Sequence, residues 1–435
     1  MPGSGVRPSL SAPPVLPASP DLEAILGGRW SDRCFIVERR WEPSARHGRD
    51  EIGALTERLD ESADGAPLFT NGTNGLPARA PFVFFDLETT GLSGGAGTQA
   101  FLVGCAWRED DGAFVTRQYL LTRYADERPL LERVAGELTR AGALVSFNGK
   151  SFDAPVLETR YLFHRLAWIG ASVPHVDVLH PARQFWRGAV GSGWLQPASG
   201  PPDGGHYRSP CSLVALERDV LGFHRIGDVP GFEIPERYFH FVRSGDARPL
   251  AAVLKHNRLD LVSLAALTSR LLHLSRVGPR EARDAREALA LGRVYARAGR
   301  EDCARAAFAH AVETSAIGRH PTDVRLDALR AFAMSLRRAR EYARAAACWR
   351  EILDTPGCAP LLAKDAAEAL AIHHEHRARD LAAARTFALR IGQAGMPGRP
   401  GMNAAVRHRL ERLDRKLDRQ SLKADLRLQP PDFFI

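Results

Sequence analysis

No C-x-x-C pair and no regular cysteine spacing occurs in this 435-residue sequence. Its six cysteines, Cys34, Cys105, Cys211, Cys303, Cys348 and Cys358, therefore offer neither a zinc framework nor a disulfide scaffold, and reduced thiols of a cytoplasmic protein are expected. A long hydrophobic run is missing too. Nothing approaches the roughly 20 apolar residues of a membrane span, and the opening MPGSGVRPSLSAPPVLPASP has no apolar core of signal-peptide length. The expectation is a soluble, intracellular chain with no membrane partner. Charge of one sign is in modest surplus, with 59 Lys and Arg against 51 Asp and Glu. That surplus leans toward a polyanionic partner, although an Arg-rich composition alone would produce it.

What is present divides along the chain. Residues 1–20 are rich in Pro, Ser and Gly and lack the apolar content to offset ordering entropy, so they read as disordered. Residues 21–80 read as an N-terminal accessory element, with a β-like run CFIVE and then a loop, DESADGAPLFTNGTNGLPARA. From 81 to 275 strand-like runs (FVFF, QAFLVGCAW, AFVTRQYLL) give way to a helix-like ERPLLERVAGELTRA and the strand ALVSF, which predicts an α/β domain. Within it, residues 186–205 are too rich in Gly and Pro for a core element and read as an excursion.

After Pro279 β-branched residues become rare and Ala, Arg, Leu and Glu dominate, as in a purely helical region. Leu291, Gly292, Tyr295, Ala304, Phe308 and Ala311 fall at the offsets of a tetratricopeptide helix pair, with Ala288 in place of the leading Trp. Weaker copies carry Tyr342, Ala345 and Trp349, then Leu381, Ala384 and Ala388. The expectation is an all-α tetratricopeptide-like repeat domain over 280–430 that docks a protein partner, with Val406, Leu410, Leu413 and Leu417 as a closing stripe. An ordinary helical bundle is the alternative.

The chemistry-bearing residues are acids. In PFVFFDLETTGL a buried strand ends in Asp86 and Glu88, which two-residue periodicity places on one face. Adjacent anions there are tolerable only with protons or cations between them, unless the strand end simply emerges into solvent. In SFNGKSFDAPVLETRYL, Asp153 stands at a helix start, where taken alone it reads first as a capping residue. In LKHNRLDLVSLAAL, His256 and Asp260 share one face of an apolar helix, with a surface ion pair as the plainer reading.

Together, D-x-E on a strand, N-x-x-x-F-D and H-N-x-x-D on an apolar helix resemble the DEDD-type 3′-to-5′ exonucleases of the ribonuclease H-like fold. Further along, VDVLHPARQFW, CSLVALE and GFHRIGDVPGFEIPERYFHFVRSGD resemble the YprB-type branch of ribonuclease H-like proteins, so the likeness covers roughly residues 30–275. It implies an α/β domain with a mixed central sheet flanked by helices, and two Mg²⁺ or Mn²⁺ ions held by Asp86, Glu88, Asp153 and Asp260. Such ions, about 3.5 to 4 Å apart, neutralise the acids, activate water and stabilise the leaving oxygen. By the family pattern His256 orients or deprotonates the water, although it takes a spacing of four from the last aspartate, where the family's tyrosine subclass has tyrosine and its histidine subclass has a spacing of five. Thr89, Thr90, Gly91 and Leu92 match the turn that approaches the terminal nucleotide, and Asn148 and Phe152 match the second motif. Lys150 and Arg258 are candidate phosphate contacts or plain solvated charges.

The resulting expectation is an exonuclease acting 3′-to-5′ on RNA or single-stranded DNA. A noncatalytic nucleic-acid-binding or scaffold protein, and a structure-selective endonuclease, are the alternatives on the same fold.

Overall fold

The computed structural model describes residues 22–70, 76–91, 97–187, 211–317, 322–393 and 404–428. The segment 1–20, Leu92 and most of 186–205 lie outside the described residues. The chain divides into two compact units, Met1–Arg276 and Val277–Ile435.

The first unit is built on a mixed sheet. Its strands are β1 (Arg29–Ser31), β2 (Cys34–Trp41), β5 (Phe82–Thr89), β6 (Ala100–Arg108), β7 (Phe114–Leu120), β8 (Ala143–Ser146) and β9 (His175–Asp177), while β3 (Arg46–His47) and β4 (Asp50–Glu51) form a separate hairpin. The order across the sheet is β1-β2-β7-β6-β5-β8-β9. Pairing is antiparallel from β1 as far as β5 and parallel from β5 through β8 to β9. The segment 21–80, expected as an accessory element, thus contributes two strands to the sheet, with Phe35 to Trp41 of β2 paired to Leu120 to Phe114 of β7.

Helices of this unit are α1 (Leu22–Leu26), α2 (Ile52–Glu61), α3 (Glu127–Leu138), α4 (Asp153–Phe163), α5 (Leu179–Trp186), α6 (Leu213–Leu216), α7 (Ile234–Ser244) and α8 (Leu250–Val277). Leu130, Leu131, Val134 and Leu138 of α3 and Val156, Leu157 and Tyr161 of α4 join the strand side chains in one buried cluster, as the 3.6-residue spacing requires. Phe101 of β6 stacks on Tyr238 of α7 with ring centroids 4.1 Å apart. The 28-residue α8 is buried almost all round, as its apolar sequence demands. Asp260, partly buried in its middle, stands among these buried neighbours.

The second unit is all-helical: α9 (Ala285–Arg297), α10 (Glu301–Ile317), α11 (Thr322–Arg338), α12 (Tyr342–Asp354), α13 (Pro360–His373), α14 (Leu381–Gln393) and α15 (Ala404–Leu428). Each helix packs chiefly on its neighbours in sequence, and α9 also touches α11, the nearest-neighbour pattern of a stacked array. A Cβ at Gly292 would lie 2.4 Å from the Phe308 ring, so the small residue lets α9 and α10 approach. Val406, Leu410 and Leu413 close a cluster with Ala367, Ala371, Ala384 and Ala388, while Leu417 is only partly buried. Among the described residues no helix is long and apolar enough to cross a membrane.

Candidate active site

The parallel strands β5, β8 and β9 end on one edge of the sheet, where side chains from several loops converge. On β5 the burial pattern changes from continuous to alternating at Asp86, and a register shift against β6 falls between Glu88 and Thr89. Such irregularities re-aim side chains at strand ends. Asp86 and Glu88 stand on the same face, as period two requires. Asn257 of α8 donates from Nδ2 to Asp86 Oδ2 at 2.8 Å, and Gln118 of β7 donates from Nε2 to Asn257 Oδ1 at 2.9 Å. This relay reaches Asp86 over Gly104, its partner on β6, where a Cβ would lie 2.2 Å from Asn257 Oδ1.

Beyond β5 the turn is fixed by its own hydroxyls. Thr89 Oγ1 donates to Gly91 O at 2.9 Å, and Gln99 N donates to Thr90 Oγ1 at 3.0 Å. A Cβ at Gly91 would meet nothing within 4 Å, so this turn borders open space.

The β8–α4 turn is held by an aspartate from the next strand. Asp177 of β9 accepts hydrogen bonds from the backbone N–H groups of Asn148 (2.8 Å), Lys150 (3.2 Å) and Leu179 (3.1 Å). Asn148 has φ +67°, a left-handed conformation that asparagine tolerates better than most residues. Its residue type thus has a local cause. Phe152 precedes α4 with φ −132° and is half-buried, and the buried Asp153 is the first residue of the helix without making a side-chain capping bond to it. Lys150 is half-buried; burial lowers its pKa, with Asp177 opposing.

On α8, His256 and Asp260 share a face as their spacing predicts, and a buried guanidinium joins them. Arg225 binds Glu217 in a fork, Nε to Oε2 at 2.7 Å and Nη2 to Oε1 at 2.5 Å. Its Nη1 donates to Asp228 Oδ2 at 3.1 Å, and its Nη2 donates to Asp260 Oδ1. His256 Nδ1 lies 2.8 Å from Asp228 Oδ1 and Nε2 lies 3.5 Å from Asp260 Oδ2. Arg225 Nη1 also lies 3.2 Å from His256 Nδ1, so the ring faces a carboxylate and a guanidinium at Nδ1 and a second carboxylate beyond Nε2. Arg258 falls on another face of α8, where Arg39 is the charge acting on it, so it is not gathered with the acids.

Electrostatically the four acids are one group. Burial first, then Asp260, Glu88 and Asp153, holds the Asp86 carboxyl well above the usual range. Burial, then Asp260 and Asp153, does the same for Glu88, against the opposing charge of Arg225. Asp153 is raised by burial, by Asp177 and by Asp260. Carboxylate oxygens of this density suit hard divalent cations, which supply the missing positive charge. The side chains as they stand do not converge on such an ion: among the described residues no three His, Cys, Asp or Glu groups form a ready metal-holding set. The carboxylate chemistry is of the kind that suits a divalent cation, while the side-chain positions do not form a holding set among the described residues.

Several of these residues carried no assigned role in the sequence reading. Arg225 and Asp228 lie in GFHRIGDVPGF, Glu217 in CSLVALE, Asp177 in VDVLHP, and Asn257 beside His256. The V-D-V pattern of Asp177 repeats the strand-end acid of β5 and was the one local signal available. Arg225 pairs locally with Glu217 and Asp228, but their link to α8 runs through distant contacts, Asp228 to His256 and Arg225 to Asp260, and Asn257 reaches Asp86 across the sheet.

Residues 83–272 match the model of the RNase_H superfamily, and this part of the chain is a ribonuclease H-like domain. At the level of a single protein, the chain is 33% identical over 251 residues to the uncharacterized protein YprB of Bacillus subtilis (strain 168). The alignment takes in 56% of this chain and 53% of that relative, so the chain spans about half the length of the curated relative it matches.

Proposed function

We propose that the ribonuclease H-like unit is a metal-dependent nuclease that hydrolyses phosphodiester bonds of RNA or single-stranded DNA from the 3′ end. The observation that carries this reading is the gathering of acids around the end of β5: Asp86 and Glu88 on one face of the strand, the buried Asp153 at the start of α4, and Asp260 of α8 as a negative charge acting on all three. A protein has little reason to keep four repelling acids together unless a cation joins them. Superfamily membership supports nuclease-type chemistry and use of divalent metals. Bound Mg²⁺ or Mn²⁺, as one ion or the two that the exonuclease resemblance implies, supplies Lewis-acid charge to the phosphate and the leaving oxygen.

The chain's own groups do the rest. Asp86, Glu88 and Asp153 provide the anionic seat. His256, held between Asp228 and Asp260, accepts the proton of the attacking water. Asp177 holds the Asn148–Lys150 turn, which offers backbone and the Lys150 ammonium to a phosphate. The Thr89–Gly91 turn, where a Cβ at Gly91 would meet nothing within 4 Å, is the part of the chain offered to a terminal nucleotide. Incubation with 5′-labelled RNA and DNA oligomers, with Mn²⁺, Mg²⁺ or chelator, tests this reading. A ladder shortening from the 3′ end in metal alone is expected. Discrete internal products would assign an endonuclease, and no product on any oligomer would leave a binding protein.

A further inference from the structure

A buried chain of hydrogen bonds runs from the hairpin β3–β4, which lies ahead of the segment matched by the superfamily model, to the face of α8 that carries His256 and Asp260. It begins at His47, 1% exposed, whose Nε2 lies 2.8 Å from Ser263 Oγ. The buried Ser263 has one hydroxyl proton and gives it to Glu217 Oε1, so His47 Nε2 is the donor to Ser263. His47 Nδ1 has no partner among the described residues, and the ring is held by this one bond. Burial, and then the Arg225 charge, bring its pKa down to about 4, so at neutral pH it is an uncharged donor. The hairpin is fastened at the same spot. Arg49 N donates to Leu221 O at 3.0 Å, and the His47 and Phe223 rings lie with centroids 4.1 Å apart.

Glu217 is where the chain meets the site. Its Oε1 accepts from both Ser263 and Arg225 Nη2, while Oε2 accepts from Arg225 Nε. The same guanidinium reaches Asp228 and His256 Nδ1 through Nη1 and Asp260 through Nη2. A Glu217 carboxylate free to turn would rotate the whole fork and move Nη1 and Nη2 against His256 and Asp260. In a buried network each bond leans on the next. We propose that His47 is a positioning residue for the hydrolytic site: through Ser263 and Glu217 it sets where Arg225 lies, and Arg225 in turn sets His256 and Asp260. This rests on the reading of the unit as a nuclease with His256 as proton acceptor, and it adds that residues ahead of the family-matched segment complete the site.

The test compares full-length wild type with His47→Phe, which keeps a ring against Phe223 and loses the donor, with His47→Gln, whose amide can donate in place of Nε2, and with Ser263→Ala. Cleavage of 5′-labelled oligomers in Mn²⁺ gives kcat and KM, thermal melts report folding, and the ¹⁵N signal of the Arg225 Nε–H in substrate-free, chelated protein reports where the guanidinium lies. His47→Phe and Ser263→Ala are expected to lose about tenfold or more in kcat, with KM within about twofold, and to shift the Arg225 signal, whereas His47→Gln stays within about threefold of wild type. Should His47→Phe fail to fold, Ser263→Ala and His47→Gln decide. An unmoved Arg225 signal in the folded variants would overturn the proposal whatever the rates, and so would an equal loss of kcat in His47→Phe and His47→Gln. A shifted signal with wild-type kcat would overturn it while leaving the nuclease reading in place. If wild type cleaves no oligomer the nuclease reading falls, and the Arg225 signal alone decides whether His47 sets that guanidinium.

Discussion

Asp86 illustrates what a single residue contributes and costs. Its carboxyl is held above the usual range by burial and by Asp260, Glu88 and Asp153, so its ionised form opposes folding. For an acid whose folded pKa is raised, stability is fullest below the unfolded value of about 4 and falls as pH rises past it. In chelator at pH 7, Asp86→Asn is therefore expected to melt at or above the wild-type temperature while abolishing oligonucleotide hydrolysis in Mn²⁺. A variant that melts well below wild type would show that the carboxylate stabilises the fold. Gly104 makes the opposite prediction. Its added Cβ would meet Asn257 Oδ1 at 2.2 Å and Leu261 Cδ1 at 2.8 Å, so Gly104→Ala should cost about 1–3 kcal/mol in urea denaturation and weaken metal uptake through displaced Asn257. Full stability with unaltered Mn²⁺ affinity would mean that the relay is not rigid.

Elements of the two units differ in how openly the sequence announced them. The strands β5, β6 and β7 and the helix α8 were legible because each has a local signature, an apolar run or a sustained helical stripe. The offsets of Gly292 and Phe308 likewise predicted the close pair α9–α10, since the requirement for a small residue is local. What could not be read is pairing. Nothing in CFIVERRW says that it lies beside β7, about 80 residues on, because period two specifies a strand but not its neighbour. Arg225 has near partners in Glu217 and Asp228, but its contact with Asp260, 35 residues on, was hidden for the same reason.

In the helical unit, α15 is tied to the turn after α13 by Glu375, which accepts from Arg412 and Lys416. Burial opposes its ionisation, but these two cations prevail and bring its pKa down to about 2. A depressed acid stabilises above its unfolded value and loses that contribution as pH falls. The stability difference between wild type and Glu375→Gln should therefore be present above about pH 5 and vanish between about pH 4.5 and 2. Thermal melts across that range would reveal it, and a difference independent of pH would assign Glu375 a steric role only.

At the scale of the whole molecule, every candidate ligand and proton acceptor lies in the first unit, and the second consists of stacked helices. Several cations of α15 are already engaged: Arg412 and Lys416 by Glu375, and Arg409 lies 3.6 Å from Glu368. This lowers the positive field that α15 offers to a nucleic acid. A fragment of residues 1–278 is expected to cleave oligonucleotides at a rate within about threefold of the full chain, less than an outer ligand partner contributes. A large, salt-dependent loss of oligonucleotide affinity in that fragment would instead make the helical unit part of the substrate surface.

The pairing of β2 with β7 has a practical side. The match to the superfamily model begins at residue 83, after β2, and a fragment cut there would expose the flank of β7 from Phe114 to Leu120. A long, flat row of unpaired backbone donors and acceptors recruits strands from other chains. The first strands of this protein therefore serve as a hem for the sheet behind them, and a fragment trimmed to the matched family segment should be recovered as aggregates, whereas one that begins before β1 should stay monodisperse in light scattering.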